Sequence, residues 1–301
     1  MSANPVRPNQ IIITGVEEKS EQPNFLADKW AKIEHILQYR DLIHNLVLRD
    51  LKVRYRNSAL GVLWSLMNPL LMMLVFTLVF TVMAPVRSGE LQNFPVFVLC
   101  ALLPWNFFSQ SIIGATGSIV TNGVLLKKVY FPREILPLSM VVANLINFLI
   151  ALTVLFAMIL IFGIPLTVWL IYLPLIILIQ VVFTLGIGFI VAAVNVFYRD
   201  TQQVIDVLML AWFFVTPIFY PLDILPRSYV IPGLDYTLNV WRLAYILNPM
   251  ASLIANYRVV LFDGASPAPD FLIRTAVTSA VVFLAGWLIF NHYSWRFAEE
   301  L

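Results

Sequence analysis

Charge is what this 301-residue chain has least of: Asp, Glu, Lys and Arg make up 12% of it. A typical soluble domain carries about 25%, and a fold of this length needs that charge to cover its surface. The deficit is concentrated. Between Glu134 and Arg199, 64 consecutive residues carry no Asp, Glu, Lys or Arg. A water-soluble core cannot absorb such a run, whereas two lipid-spanning helices joined by a tight turn can, at about 20 apolar residues each. The single cysteine, Cys100, excludes an intramolecular disulfide and leaves the redox compartment undefined. A net charge of +2, without a basic run interleaved with aromatics, gives no support for a nucleic-acid partner. No G-x-x-x-x-G-K-[ST] occurs, which excludes ATP binding through a P-loop in this chain. His35, His44 and His292 stand in no metal-ligand spacing, and both H-E-x-x-H and the G-x-S-x-G elbow are absent. The charge-free run also offers no proton relay. Asp206 sits near the end of a later span, where an acid that reaches the headgroups is the simpler reading. The chain shows no energy source of its own.

What is present is apolar, at 60% of residues, and it is spaced for an all-α polytopic membrane protein with six transmembrane helices. The spans are predicted at about 61–84, 94–114, two within 135–197 divided at Phe162-Gly163-Ile164-Pro165, then 203–220 and 274–295. The first strongly apolar stretch lies far from the start and is long enough to span, so no cleavable signal is expected. Residues 1–24 read as a flexible tail. Across 25–60, Trp30, Ile33, Leu37, Ile43, Leu46 and Val47 recur mostly at spacings of three and four, the pattern of an N-terminal amphipathic interfacial helix. The basic cluster Arg49, Lys52, Arg54 and Arg56 abuts the first span and sets the orientation. With the N-terminus inside, 14 of the 19 Lys and Arg fall on the cytoplasmic side, and 296–301 is a cytoplasmic C-terminus. Residues 222–270 contain Arg242, Asn248, Pro249, Asn256 and Arg258. Each charge at a lipid-facing helix centre costs about 2.5–3.5 kcal/mol, so an external re-entrant helical hairpin before the last span is expected there instead of a seventh span.

Five segments occur in order: Arg54-Tyr55-Arg56-Asn57-Ser58-Ala59-Leu60-Gly61, running on to Trp64-Ser65-Leu66-Met67-Asn68-Pro69; Lys127-Lys128-Val129-Tyr130-Phe131-Pro132-Arg133-Glu134; Asn195-Val196-Phe197-Tyr198-Arg199-Asp200-Thr201; Val215-Thr216-Pro217-Ile218-Phe219-Tyr220-Pro221; and Leu247-Asn248-Pro249-Met250. Together they resemble permease (transmembrane) subunits of ABC-type polysaccharide exporters, the family that exports O-antigen, capsule or teichoic acid. Each is weak alone, and the ordered set, covering about 35–295, is specific. The resemblance implies a homodimer in the cell inner membrane, paired with two copies of a separate P-loop ATPase that binds ATP and Mg. It also implies a lipid-pyrophosphate-linked polymer moved through a channel at the permease dimer interface.

Beside that implication, the residues carry their own readings. The segment 118–134 sets cations beside aromatics. Its Lys127, Lys128, Tyr130, Phe131, Arg133 and Glu134 suit docking into a groove on an ATPase, or else serve only the inside-positive bias. Tyr198, Arg199 and Asp200 are a second cytoplasmic contact or merely a helix-ending ion pair. Ten aromatics on spans one, two and five stand as candidate channel lining: Phe76, Phe80, Trp105, Phe107 and Phe108, with Trp212, Phe213, Phe214, Phe219 and Tyr220. Ring faces stack on the C–H surfaces of sugars and let a polymer slide, although aromatics at span ends also form the interfacial belt and others pack against neighbours. Pro69, Pro104 and Pro217 fall within spans and predict kinks. A membrane acyl- or glycosyltransferase acting on lipid-linked sugars is the alternative. It would draw on Asp223, Asp235 and Asp263, which show no catalytic spacing.

Overall fold

The computed structural model describes residues 38–55, 61–80, 93–129, 131–220, 228–230, 237–239, 245 and 248–301, and Arg40–Leu301 form one compact unit. Its helices are α1 (Arg40–Tyr55), α2 (Trp64–Leu78), α3 (Phe94–Thr121), α4 (Gly123–Lys128), α5 (Ile135–Ile161) and α6 (Leu173–Phe197). After them come α7 (Thr201–Val215), the strands β1 (Ser228–Val230) and β2 (Thr237–Asn239), then α8 (Pro249–Leu261), α9 (Pro269–Ser294) and α10 (Phe297–Glu300). Among the described residues four helices are long and apolar enough to cross a membrane: α3, α5, α9, and α6 with the short helix at Val168–Tyr172 before it. Shorter apolar helices occur at Leu66–Leu78 and Thr201–Val215. The chain is a polytopic helical membrane protein. The calls on residues 1–24 and on Trp30, Ile33 and Leu37 lie outside the described residues.

The charge-free run becomes α5 and α6, divided where the Phe-Gly-Ile-Pro signal predicts. Gly163 takes φ 69° at this corner, a left-handed conformation that glycine adopts without a Cβ clash. The amide of Ile164 donates to the carbonyl of Ile159 at 3.0 Å and that of Gly163 to Leu160 at 3.2 Å. This is a Schellman closure, and the buried Ile164 provides the apolar contact that accompanies it.

Helix α3 is the central post. It packs against α2, α5, α6, α7 and α8, and 78% of its most apolar window is buried against 22% for that of α9. It also runs past the predicted end at 114 to Thr121. Thr116, Ser118 and Thr121 allow this because their hydroxyls donate back to the carbonyls of Ile112, Ala115 and Gly117 at 2.7, 2.7 and 2.6 Å. Hydroxyls bonded in this way add no unsatisfied polar group to the helix. Ser118 therefore lies within a span-length helix and not in the segment that follows it.

The tightest helix crossing joins α6 to α9. A Cβ built on Gly286 would lie 2.0 Å from the carbonyl oxygen of Gly186, and one on Gly186 would lie 2.6 Å from the Phe283 backbone. Paired small residues let the two backbones touch, the usual route to close packing where lipid removes the hydrophobic drive. The region 222–270 differs in detail from the expected helical hairpin. Its described helix is α8, and before it β1 and β2 pair antiparallel with Tyr229 opposite Leu238. Tyr229, Val230 and Thr237 are strand-favouring residue types.

Candidate functional site

Two regions gather the residues singled out above. The first is one end of the bundle, around α4. Asn122 joins α3 to α4: its amide donates to the Ser118 carbonyl at 2.8 Å, and its oxygen accepts from Arg49 of α1 at 2.8 Å. Arg49 also pairs with Asp50 at 2.9 Å, so one member of the basic cluster holds the α3–α4 joint in place. Lys52 and Arg54 are exposed, and Arg56 lies outside the described residues. Helix α4 buries none of its residues. Lys127, Lys128, Val124 and Val129 are all exposed, Phe131 is buried, and Arg133 and Glu134 are half-buried. Tyr130 lies outside the described residues.

The C-terminal helix α10 supports this end. Phe297 is fully buried, with ring centroids 6.0 Å from Phe197 and 5.2 Å from Phe290. Leu301 rests over Gly123, where a Cβ would meet its Cδ1 at 3.6 Å. Tyr198, Arg199 and Asp200 form the exposed corner between α6 and α7. Arg199 and Asp200 form no ion pair with each other, so the helix-ending ion pair weighed from sequence does not form. The corner is closed instead by Thr201, whose amide donates to the Tyr198 carbonyl at 3.0 Å. The product is an exposed rim of cations and apolar side chains on a base of buried rings.

The second region is aromatic. Phe219 stacks on Phe80 at 4.8 Å and on Phe76 at 5.5 Å. Phe76 meets Phe213 at 5.8 Å, and Phe213 meets Trp105 at 5.8 Å. Trp105 leads on to Phe108 at 5.7 Å, and Phe108 to Trp212 at 5.2 Å. Phe214 and Tyr220 flank this ladder, each at 5.4 Å from a member. Phe107 stands apart, stacked on Phe148 at 5.4 Å. The structure thus brings nine of the ten aromatics together across α2, α3 and the end of α7. Trp105, Phe107, Phe108, Phe213 and Phe219 are buried within the protomer, Phe76, Phe80, Trp212 and Tyr220 are half-buried, and Phe214 is exposed. A ring buried on all sides packs its own chain and has no face left for a sugar.

Polar side chains to which the sequence alone assigns no partner lock the far end. Asn248 caps α8 by accepting from the Ala251 amide at 3.2 Å, accepts from Trp212 Nε1 at 2.9 Å, and donates to Thr216 Oγ1 at 2.9 Å. Buried Arg258 donates to the Pro217 carbonyl at 2.7 Å and to the Ile218 carbonyl, with its guanidinium 3.6 Å above the Phe97 ring. Tyr257 donates to Gln180 at 2.7 Å, and Gln180 donates to the Pro104 carbonyl at 2.7 Å. At the loop after α8, burial pushes the Asp263 carboxyl up from its usual value, an effect the nearby Arg258 opposes. The available sequence signal was a set of carboxamides and one arginine within otherwise apolar segments.

Comparison with known proteins fits this architecture. The model of the ABC-2 type transporter family matches residues 41–262. The chain is 39% identical over 269 residues to the "O-antigen export system permease protein RfbA" of Myxococcus xanthus, covering 89% of this chain and 98% of that protein. It is 32% identical over 272 residues to the protein of the same name from Klebsiella pneumoniae, covering 90% and 99%. The "Polysialic acid transport protein KpsM" of Escherichia coli is 27% identical over 198 residues, covering 62% of this chain and 72% of that protein.

Proposed function

The chain belongs to the ABC-2 type transporter family, and from that premise we propose that it is the membrane-spanning subunit of an ATP-driven exporter of lipid-linked polysaccharide. The observation that carries this reading is similarity along nearly the whole length of permeases named for O-antigen export. It favours export over the transferase alternative. The complete exporter is a homodimer of this chain with two copies of a P-loop ATPase, which supplies the ATP and Mg site. It resides in the cytoplasmic membrane with both termini inside.

Force enters at the α4 end. Lys127, Lys128 and the exposed valines of α4 form a knob for a groove on the ATPase, and the corner at Tyr198–Asp200 is a second contact. The rigid path from that knob to the bundle runs through Asn122 and the buried Phe131. The polymer passes between two protomers. Of the ten candidate aromatics, Phe214, with Trp212 and Tyr220 beside it, retains surface to meet a sugar, and the buried rings stiffen the wall behind. Six spans satisfy the reading if α2 and α7 count with the four long helices.

Depleting the protein in its host and measuring polymer on the cell surface tests the function. Loss of surface polymer with build-up inside is expected. Normal display without build-up sinks the proposal.

A further inference from the structure

A cleft of about 420 Å³ opens between α1, α2, α3 and α5, away from the aromatic ladder and from α4. Its polar wall is Arg54, Asn68, Asn106, Gln110, Asn144 and Asn147. Trp64, Phe107 and Phe148 add ring surface. Among the described residues no acidic side chain lines it.

This wall has a definite chemistry. A carboxamide offers two N–H donors and a carbonyl acceptor, matching hydroxyls that both give and accept. Five of them on three helices, with rings beside them, form a surface for a polyol. Among the described lining residues the cation is Arg54, exposed at the rim, and its planar guanidinium suits a phosphate. Among the described residues the wall gives an ammonium group no carboxylate partner.

Asn144 shows that the site is built for something. It is 3% exposed, its amide donates to the Met140 carbonyl at 2.9 Å, and its own carbonyl oxygen has no partner. Buried polar atoms are almost always bonded, and an acceptor left open on a cleft wall points to a donor brought by a ligand. The neighbouring surface is apolar: Leu71 and Leu74 of α2 and Leu149 of α5 are exposed, so a hydrocarbon tail finds a place beside the cleft.

We propose that this cleft binds the hydroxyl-rich, phosphate-bearing headgroup of a lipid. Asn144 and Gln110 take its hydroxyls and Arg54 its phosphate. At this volume it holds a short saccharide and not a folded polymer. Two lipids carry that chemistry: the pyrophosphate-linked cargo, a source that rests on the exporter reading, and a resident phosphoglycerol lipid.

The test uses the full chain in nanodiscs, titrated with a polyprenyl-pyrophosphate disaccharide, with phosphatidylglycerol and with a neutral galactosyl diacylglycerol. Saturable binding is expected for both phosphate-bearing probes. Gln110→Leu and Asn144→Leu should each weaken it about tenfold, and Arg54→Gln should weaken the phosphate-bearing probes about tenfold while the galactolipid changes less than about twofold. Both headgroup assignments support the site, and competition between the two phosphate probes decides which lipid holds it. Gln110 and Arg54 are exposed, so these two variants keep their fold and test the site independently of the buried Asn144→Leu. Wild-type binding by both of them, or no saturable binding of any probe, overturns the proposal. Surface polymer measured in the same strains separates the two ideas. Display that does not depend on this chain removes the exporter reading, whereas intact export without cleft binding removes only the headgroup site.

Discussion

Replacing Gly286 with alanine tests whether the α6–α9 crossing organises the bundle. The added methyl would lie 2.0 Å from the Gly186 carbonyl oxygen, where real contacts essentially never fall under 3.0 Å. Both partners are backbone, so no side chain can swing aside, and the helices must part by about an ångström. That parting loosens a seam running through Phe189–Phe283, Phe189–Phe290 and Phe197–Tyr293, whose centroids lie 6.1, 5.2 and 5.8 Å apart. Overpacking a close-packed interior costs roughly 1–3 kcal/mol, and a clash of backbone with backbone belongs near the top of that range. At about 2–4 °C per kcal/mol, the midpoint should drop on the order of 6–10 °C. The assay is loss of the monodisperse chromatographic peak on heating in detergent at one fixed rate, because unfolding of such proteins is irreversible. Gly114→Ala is the control. Its new methyl would meet the flexible Met140 side chain at 3.5 Å, an ordinary contact, and alanine gains about 1 kcal/mol in helix propensity. A Gly286→Ala midpoint within about 1 °C of wild type would refute the reasoning.

Arg258→Met removes the donors to Pro217 and Ile218 and leaves those carbonyls bare. At about 1–3 kcal/mol for each unsatisfied group the same heating assay should show a drop of several degrees, only partly recovered by Arg258→Lys, and unchanged melting would show that water replaces the guanidinium. Phe297→Ala empties a fully buried site against Phe197 and Phe290. Amide exchange in α4 should then quicken while α3 stays protected, and equal exchange in α4 would rule out the support assigned to α10. Changing Lys127, Lys128 and Arg133 together to alanine should reduce stimulation of the partner ATPase and polymer export with dimerisation intact. Full export by that triple variant would refute the coupling role.

The sequence made some of this fold plain and hid other parts for physical reasons. Long apolar runs bounded by charge identify α5, α6 and α9, because a lipid-facing helix declares itself by composition alone. The Gly163 corner was equally clear, since a glycine followed two residues later by a proline marks a turn. The end of α3 was not. Serines and threonines that satisfy themselves on the preceding turn look polar in a string and behave as apolar in a helix, so the span is expected to end at 114 and Ser118 to open the segment after it. Helix α1 was legible in part. Leu46 and Val47 of the amphipathic stripe are buried, as their spacing predicts, while Leu48 and Val53 of the same helix are exposed, and Arg49, one of the basic cluster that abuts the first span, is engaged with Asn122. Spacing shows which residues share a face and says nothing about which helix that face meets. The aromatics repeat the lesson: ring type suggests a channel wall, and packing buries five of the ten rings within the protomer.

The charge-free run holds no Asp, Glu, Lys, Arg or His, yet it is not without polar chemistry. Carboxamides do there what charges would do at much higher cost. Gln180 bonds the Pro104 carbonyl while accepting from Tyr257, joining α3, α6 and α8, and Asn195 donates to the Thr116 carbonyl at 2.9 Å across α6 and α3. A neutral amide pays a modest desolvation penalty and recovers it through bonds of fixed direction, whereas a buried ion demands a counter-ion or a changed protonation state. A transporter driven by an outside ATPase needs no proton-carrying group at depth. Under the coupling proposed above it does need helices that move as one body when pushed from α4, and direct side-chain bonds to main-chain carbonyls suit that need. The same chemistry, left open at Asn144, turns one wall of the bundle from a structural tie into a place where a ligand can complete the bond.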